Sequence, residues 1–444
     1  MTPVQAGAPV SLSPLDPSVL PSFPPSTLLS PVLQQLSSVS AVASLRHRNF
    51  RLFLGGQFLS LCGAWMQTVA HGWLVLTLTN SAFAVGLVTT LGSLPILLFT
   101  LYGGVLADRV DKHKVILTLQ CLMVCEALAL GILTVTHLVS VPWVIGLSIF
   151  FGLLSAFEVP TRQAFITDLV GKADLMNAIA LNSSAFNVSR VIGPAIAGVL
   201  IAAVGIAACF FANALSYLAV IAGLLMMRLP PHAGRPAGAV DTGFREGLRE
   251  GYRYIADHRW PRTLILITAT LSVFGYSFLT MLPVYARDAL HQGPGGFGAI
   301  VSAVGVGAAI GALSIAAFGS RVRQGRMAIG GAGAFGAILA ASALAPTFLS
   351  AFLLFLLCGF AMALCGITAN TLLQRQAPDH LRGRVMGFYS FVALGMAPFG
   401  SLQMGWISEH FGVRTAFAIG GTVCAGAAGV VVAKRGTFAR PARG

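Results

Sequence analysis

Charged side chains are scarce in this sequence. Only 9% of its 444 residues are Asp, Glu, Lys or Arg, and Asp and Glu together number 14. Since a soluble globular domain carries about 25% charged residues, this composition excludes an ordinary water-soluble fold. Apolar residues make up 56% of the chain instead, and many apolar stretches reach the roughly 20 residues that a helix needs to cross a bilayer. The sequence predicts an all-α polytopic membrane protein.

Groupings that support catalysis or metal binding are also lacking. The seven cysteines lie in apolar stretches, and none is spaced with histidines as a metal ligand would be. No glycine-rich loop is followed by the Lys-Ser or Lys-Thr that a phosphate-binding loop requires, and no Ser/His/Asp grouping is present. We therefore expect no enzyme activity, no metal and no cofactor.

The charges that remain are distributed unevenly between the predicted spans. If the N-terminus is cytoplasmic, 25 of the 28 Lys and Arg residues lie on the cytoplasmic side, as the positive-inside rule requires. The net charge of +14 thus indicates orientation in a lipid bilayer, with both termini inside, and not nucleic-acid binding. We predict twelve spans, at residues 52–79, 82–106, 115–137, 141–161, 175–203, 206–227, 263–286, 297–319, 327–346, 348–374, 385–409 and 413–433.

Three segments lie outside these spans. Residues 1–44 contain eight prolines and one charge, which predicts a disordered Pro/Ser-rich tail. Residues 228–262 form a long arginine-rich loop with apolar residues at helical spacing, so we expect an amphipathic helix on the inner membrane face. This loop separates a six-helix unit at 45–227 from a second at 263–433, and a basic tail follows at 434–444.

The two predicted six-helix units resemble each other. The tripeptide RQA occurs at 162–164 and again at 375–377, an offset of 213, and Gly86 has Gly298 at an offset of 212. Gly193-Pro194 has a looser counterpart in the segment ending at Pro398. Several matches at nearly one offset predict an internal repeat, and hence two pseudo-symmetric bundles.

Six ionisable residues stand within seven positions of the stretch YGGVLADRVDKHKVIL, residues 102–117. Glycine, an Asp-Arg pair and basic residues in this order resemble the loop signature between spans two and three of the major facilitator superfamily. The family usually has glycine where this chain has Asp111. Four other stretches resemble the bacterial exporter branch that includes the enterobactin exporter and macrolide-type efflux proteins: 63–79, 160–170, 187–198 and 382–391.

The resemblance implies the major facilitator fold in a bacterial inner membrane and a gate at its cytoplasmic side. Lys112, His113 and Lys114 are explained as membrane anchors, but an acid contributes little to topology. We expect Asp108 to accept hydrogen bonds from the start of span eleven and from Arg162, holding the cytoplasmic side closed. Arg109 and Asp168 would belong to the same charge network, although Asp168 fits a loop or capping role as well.

Two acids in apolar spans are candidates for proton coupling. Glu126 lies close to the centre of span three, where a charge costs about 2.5–3.5 kcal/mol on insertion scales. The alternative is a neutral structural glutamate, because span three is peripheral in the family's fold. Glu158 lies in the inner half of span four, which lines the cavity in that fold.

Span five contains Arg190, Gly193, Pro194 and Gly198. The proline bends the helix and the glycines allow another helix to approach closely; the resembling motif belongs to exporters, although a packing kink is compatible with either direction. By family analogy, spans one, four, seven and ten line a central cavity. The candidate substrate contacts there are Trp65, Met66, Gln67, His71, Phe274, Tyr276, Phe278, Met281 and Asn370, although many of them would serve equally well as packing residues.

These observations together predict a proton-coupled antiporter that exports a small amphipathic molecule by alternating access. Its partners would be a small-molecule substrate, protons and the lipid bilayer, and we expect a monomer. Two alternatives remain at this point: a lysophospholipid flippase, and a non-transporting membrane sensor on the same scaffold. A sensor would be expected to carry a substantial soluble domain, which the predicted tail and loop do not provide.

Overall fold

The computed structural model describes residues 43–228, 244–319, 322–378 and 381–434. Within them, the backbone forms thirteen helices after a short 3-10 turn at Ala43–Arg46. We number them α1 (Arg48–Thr79), α2 (Ala82–Arg109), α3 (Lys112–Val135), α4 (Val141–Gly171), α5 (Ala173–Ala203), α6 (Ile206–Leu225), α7 (Phe244–Asp257), α8 (Arg259–Ala289), α9 (Pro294–Phe318), α10 (Gln324–Ser342), α11 (Phe348–Gln376), α12 (Arg382–Phe411) and α13 (Val413–Ala433).

Among the described residues, ten of these helices are long and apolar enough to cross a membrane. They are α2 to α6, α8, α9 and α11 to α13, so the expectation of a multi-pass helical protein is confirmed, whereas α1 and α10 do not meet the same criterion. The helix α7 occupies the segment in which an amphipathic helix is expected. Of the predicted tails at 1–44 and 434–444, residues 1–42 and 435–444 lie outside the described residues.

The helices extend beyond several predicted span limits. Span four was expected to end at 161, but α4 continues to Gly171, where a φ of +69° reverses the chain into α5. Only glycine adopts such a φ at little cost, which explains why the turn falls at this residue. The charged residues Arg162 and Asp168 are therefore on a helix and not in a loop.

Two helices of the second half of the chain are irregular. The helix α8 includes π-helical segments at Leu271–Gly275 and Tyr285–Ala289, with Pro283 between them. The helix α12 is interrupted at Met396, two residues before Pro398. Proline removes a backbone donor, and π segments are common at functional sites. The regular α-helical hydrogen-bond pattern is therefore interrupted in both α8 and α12.

Helices α1–α6 are called the first half below, and helices α8–α13 are called the second half. The helix ends at residues 79–82, 203–206, 289–294 and 411–413 form the distal end, and the ends rich in arginine and lysine form the basic end. The two halves meet through α5 against α9 and through α2 against α12. In both pairs the helices approach so closely that added Cβ atoms would strike backbone atoms of the other half.

The same close approach occurs twice, at related positions. A Cβ on Gly298 would lie 2.9 Å from the Cα of Gly198, and one on Gly86 would lie 3.1 Å from the Cα of Gly405. Hydroxyl groups follow the same relation: Ser302 Oγ donates to the Val191 carbonyl at 2.9 Å, and Thr90 Oγ1 donates to the Pro398 carbonyl at 2.8 Å. Small residues and hydroxyls at these places allow backbones to pack without large side chains between them.

Candidate functional site

A cluster of polar side chains is buried inside the first half. Gln67 of α1 donates from Nε2 to both carboxyl oxygens of Glu126 on α3, at 3.0 and 3.1 Å. Asn213 of α6 donates from Nδ2 to Gln67 Oε1 at 2.6 Å, and Ser216 Oγ lies 3.0 Å from Asn213 Oδ1. Glu126 is 2% exposed and Asn213 is 0% exposed. We call these four residues the Glu126 cluster.

The Glu126 cluster exists because α1 and α6 lie close together. Gly63 of α1 faces the side chains of Asn213 and Ser216, and any side chain at this position would displace them. The partners of Glu126 are neutral, and no cation lies within ion-pair distance of it among the described residues. A carboxylate buried without a cation is costly, so this site favours an acid that can lose its charge by taking up a proton.

The second acid, Glu158, is paired differently. Its Oε1 accepts from Arg162 Nε at 2.8 Å, one helical turn along α4, and Glu158 itself is 6% exposed. Tyr217 of α6 interacts electrostatically with both Glu126 and Glu158. The structure therefore brings both predicted acids near one buried tyrosine, which the sequence did not single out.

At the basic end, Asp168 is paired with Lys112, which the sequence analysis explained as a membrane anchor, and Arg162 is paired with Glu158. Lys112 Nζ lies 2.7 Å from Asp168 Oδ2, which joins the start of α3 to the end of α4. Asp111 caps α3 by accepting from the backbone amides of His113 and Lys114 at 3.1 and 3.3 Å. This capping role accounts for an aspartate where the family usually has glycine. The side chains of Asp108 and Arg109 lie outside the described residues.

A further cluster at the basic end was not predicted. Asp174, at the start of α5, accepts from Arg46 at 2.6 Å and lies 2.7 Å from His47 Nε2. Ser44 donates from its amide and its hydroxyl to Asn177 Oδ1, at 2.9 and 2.6 Å. These contacts fix the chain entering α1 against the first turns of α5. They rest on the last residue of the predicted tail, Ser44, and on the three residues that follow it, where sequence patterns gave no signal.

The span-five motif packs against both halves. A Cβ on Gly193 would meet the Trp65 side chain and the Cys62 carbonyl of α1, whereas one on Gly198 would lie 3.1 Å from the Cα of Gly295 on α9. The carbonyl of Pro194 faces Gly298 in the same way. The four motif residues thus lie at the junction of α1, α5 and α9.

Arg190 lies half-buried at this junction. Its guanidinium is 5.9 Å from the centre of the Trp65 ring, and Trp65 in turn contacts Phe186, with ring centres 6.0 Å apart. Tyr276 of α8, in the second half, lies near Arg190. No carboxylate lies within ion-pair distance of Arg190 among the described residues.

The other cavity candidates occupy varied environments. His71 Nε2 lies 2.8 Å from Ser148 Oγ on α4, and Asn370 accepts from Gln374 on its own helix. Met66 is 8% exposed, Phe274 is partly buried, and Gln67 belongs to the Glu126 cluster. Phe278 and Met281 are 0% exposed, and Phe278 packs among the rings of Phe335, Phe355 and Phe417.

The distal end has an acid at a helix start. Glu409, near the end of α12, accepts from Ser81 Oγ at 3.0 Å and from the backbone amide of Phe83 at 3.1 Å. Ser81 caps α2, so Glu409 of the second half binds the N-terminus of a first-half helix. Within the described residues, no group of three or more His, Cys, Asp or Glu side chains could hold a metal ion.

A helical membrane protein with two halves joined through glycines, and with a buried acid and a half-buried arginine between its helices, has the construction of a secondary transporter. Comparison with known families agrees with this class. The model of the family described as "Transmembrane secretion effector" matches residues 39–438. The chain belongs to this family of exporters within the major facilitator superfamily. It is a multi-pass protein of the bacterial inner membrane.

Characterised relatives cover most of the chain. It is 27% identical over 381 residues to the staphyloferrin A transporter of Staphylococcus aureus, covering 84% of this chain and 94% of that protein. It is 26% identical to the multidrug efflux pump Tap of Mycolicibacterium fortuitum, covering 80% and 88%. It is 27% identical to the enterobactin exporter EntS of Citrobacter koseri, covering 78% and 81%. The predicted resemblance to the exporter branch is confirmed.

Solved structures agree on the fold. A bacterial homologue of the human lysosomal transporter Spinster, in an inward-facing and unoccupied conformation, superposes with a TM-score of 0.66 at 16% identity. The match covers 87% of this chain and 95% of that one. At such low identity the likeness establishes the architecture alone.

Proposed function

We propose that this protein exports a small amphipathic molecule in exchange for protons, by alternating access. The relatives named for siderophore transport and multidrug efflux support this substrate range. The observation that carries the proton part is Glu126: a carboxyl group 2% exposed, held by a glutamine and with no cation beside it among the described residues.

The same geometry supports a two-acid proton route in the first half. Glu126 has only neutral hydrogen-bond partners among the described residues, whereas Glu158 has Arg162 as a counterion. Tyr217 lies within electrostatic range of both acids. A proton leaving Glu126 would therefore have an acceptor towards the basic end, and the Glu158–Arg162 pair would reorganise as it arrived.

Alternating access requires that the contacts between the halves open at one end at a time. The glycine contacts of α5 with α9 and of α2 with α12 lie towards the distal end, so they support a state closed there. Opening the distal end would separate these backbones and break the bonds of Glu409 to α2. The expected latch of Asp108 on the start of α12 would close the basic end in the other half of the cycle.

We also propose that α1 and α10 cross the membrane, completing twelve spans, and that the basic end is cytoplasmic. The helix α1 packs between α5 and α6, and α10 between α11 and α13, all of them long apolar helices. In a cysteine-free background, Gln292→Cys and His410→Cys should react with an impermeant thiol reagent from outside, and Gln324→Cys should not. Reversed labelling would overturn the orientation.

Dye efflux from cells tests the proposed exchange. De-energised cells of a pump-deficient bacterium are loaded with neutral N-phenyl-1-naphthylamine, anionic 8-anilino-1-naphthalenesulfonate or cationic ethidium, and glucose is then added. Cells expressing the protein should lose at least one dye faster than vector cells, and a protonophore should remove the difference. Rates equal to those of the vector for all three dyes would contradict the proposal.

A further inference from the structure

Arg190 is a charged residue that the proton route does not use. An ionisable side chain within a membrane span is costly, and it is usually paired or placed at a substrate path. Among the described residues the structure gives Arg190 no carboxylate partner; it lies against an aromatic ring and within electrostatic range of a tyrosine of the other half. Its positive charge therefore has no compensation from the described part of the protein.

The surroundings of Arg190 form one surface along α5. Asn182, Phe186 and Arg190 are spaced by four residues, so they lie on the same side of the helix. Trp65 provides a ring face beside the guanidinium, and Phe186 contacts Trp65. Asn182 Oδ1 is buried and has no hydrogen-bond partner, which leaves an acceptor about 12 Å along the helix axis from Arg190.

We propose that Arg190 is the binding residue for an anionic group of the transported molecule. The guanidinium would bind a carboxylate, sulfonate or phenolate through charge-assisted hydrogen bonds. Trp65 and Phe186 would contact an aromatic or apolar portion, and Asn182 would accept from a donor at the far end of the ligand. The inference rests on the proposed export function, and it narrows the substrate class to elongated amphipathic anions.

Placement at the junction of the halves would couple binding to movement. The backbone carbonyl of Arg190 faces Gly305 of α9, where an added Cβ would lie 2.9 Å from it. The Gly193 contact with α1 lies one turn further along. An anion bound at Arg190 is therefore held where α1, α5 and α9 meet, and these helices have to change their packing when the distal end opens.

Two dyes that differ chiefly by one sulfonate test this site. The full-length protein is placed in nanodiscs and titrated with 8-anilino-1-naphthalenesulfonate or with neutral N-phenyl-1-naphthylamine. Binding is read by energy transfer from tryptophan, after the signal of empty nanodiscs has been subtracted. Arg190→Gln should weaken binding of the anionic dye about ten- to hundredfold, as expected for a lost charge-assisted bond, and leave the neutral dye nearly unchanged. Arg190→Lys should be intermediate, because lysine keeps the charge and loses the planar contact.

The matched control is Arg253→Gln, which removes an exposed arginine from α7 and should change neither dye. Equal loss of both dyes, or loss of neither, in Arg190→Gln would overturn the proposal. If that variant does not fold, competition in the wild type decides: benzenesulfonate should displace the anionic dye and benzenesulfonamide should not, and equal displacement would overturn it. Arg190-dependent binding without efflux would refute the export function alone, and efflux with charge-independent binding would refute the anion site alone.

Discussion

The two halves of the molecule have a glycine at equivalent positions, but the side chains around it are polar in the first half and apolar in the second half. Gly63 of α1 faces Asn213 and Ser216, whereas Gly275 of α8, 212 residues later, faces Phe335 and Cys424. The same offset relates Gln67 to Leu279 and Glu126 to Ile338, and Asn213 has Cys424 at an offset of 211. The three hydrogen-bonded polar residues Gln67, Glu126 and Asn213 thus correspond to the apolar residues Leu279, Ile338 and Cys424.

The different interiors indicate that the two halves of the molecule perform different tasks. The interior of the second half is a stack of rings around Phe278, Phe355, Phe417 and Tyr285, with stacked and edge contacts that hold α8, α11 and α13 together. The interior of the first half holds two acids, and it also buries the side chains of Gln57 and Gln120. We infer that proton chemistry is confined to the first half and that the second half is mainly a rigid partner.

Replacing Glu126 by glutamine should have the largest effect. The variant keeps the size of the side chain and its contact with Gln67 but cannot exchange a proton, so proton-driven dye efflux should fall to the level of vector cells while dye binding in nanodiscs is retained. The counterpart in the second half provides the control: Ile338→Val should cost about 0.5–1.5 kcal/mol of stability and leave efflux intact. Efflux at the wild-type rate by Glu126→Gln would contradict the inference that proton chemistry is confined to the first half.

The comparison extends to the helix ends, where each half is expected to supply one acid. Asp108→Asn should shift the conformational equilibrium about ten- to hundredfold towards the form open at the basic end, because it removes a charge-assisted bond to a helix start or to Arg162. Double electron–electron resonance between labels in 108–114 and 375–384 would measure this shift. Unchanged distances together with normal transport would indicate that the loop at 108–114 serves only as a membrane anchor.

Glu409→Gln is the matched change at the other end of the same helix pair. Its bonds to Ser81 and to the Phe83 amide are exposed, so the shift towards the form open at the distal end should be smaller, about two- to fivefold. Labels on residue 204 of the first half and residue 410 of the second half, both exposed at the distal end, would report it. A shift in the same direction as that of Asp108→Asn would contradict the hypothesis that Asp108 and Glu409 hold opposite ends of the molecule closed.

Replacing each of the two equivalent glycines, Gly63 and Gly275, by alanine should distinguish an effect on stability from an effect on proton-driven efflux. Gly275→Ala brings a Cβ within 2.8 Å of the Phe335 ring, and such overpacking should cost about 1–3 kcal/mol. Gly63→Ala should destabilise the protein by a similar amount, but it should also lower proton-driven efflux, because the new methyl displaces Asn213 and Ser216 of the Glu126 cluster. Melting temperatures in detergent and efflux rates give the two readouts. Equal losses of efflux in both variants would argue against a special role for the polar interior.

Sequence reasoning located the helices because a bilayer sets their length and makes apolar runs visible. It singled out Glu126 and Glu158 because acids are conspicuous in such runs. It did not find Asn213, Ser216 or Tyr217, since single amides and hydroxyls are common in apolar helices and their importance depends on which helix lies opposite. Aligning the two halves at an offset of 211 would have found one signal: Asn213 falls where the second half has Cys424.

The state of the two acids tests the central claim most directly. Glu126 has only neutral partners among the described residues, whereas Glu158 has Arg162. Infrared difference spectra recorded across a pH jump near neutrality should therefore show a protonated carboxyl band in the wild-type protein. This band should persist in Glu158→Gln and disappear in Glu126→Gln. A band that survives in Glu126→Gln would contradict the assignment of the proton site to the first-half interior.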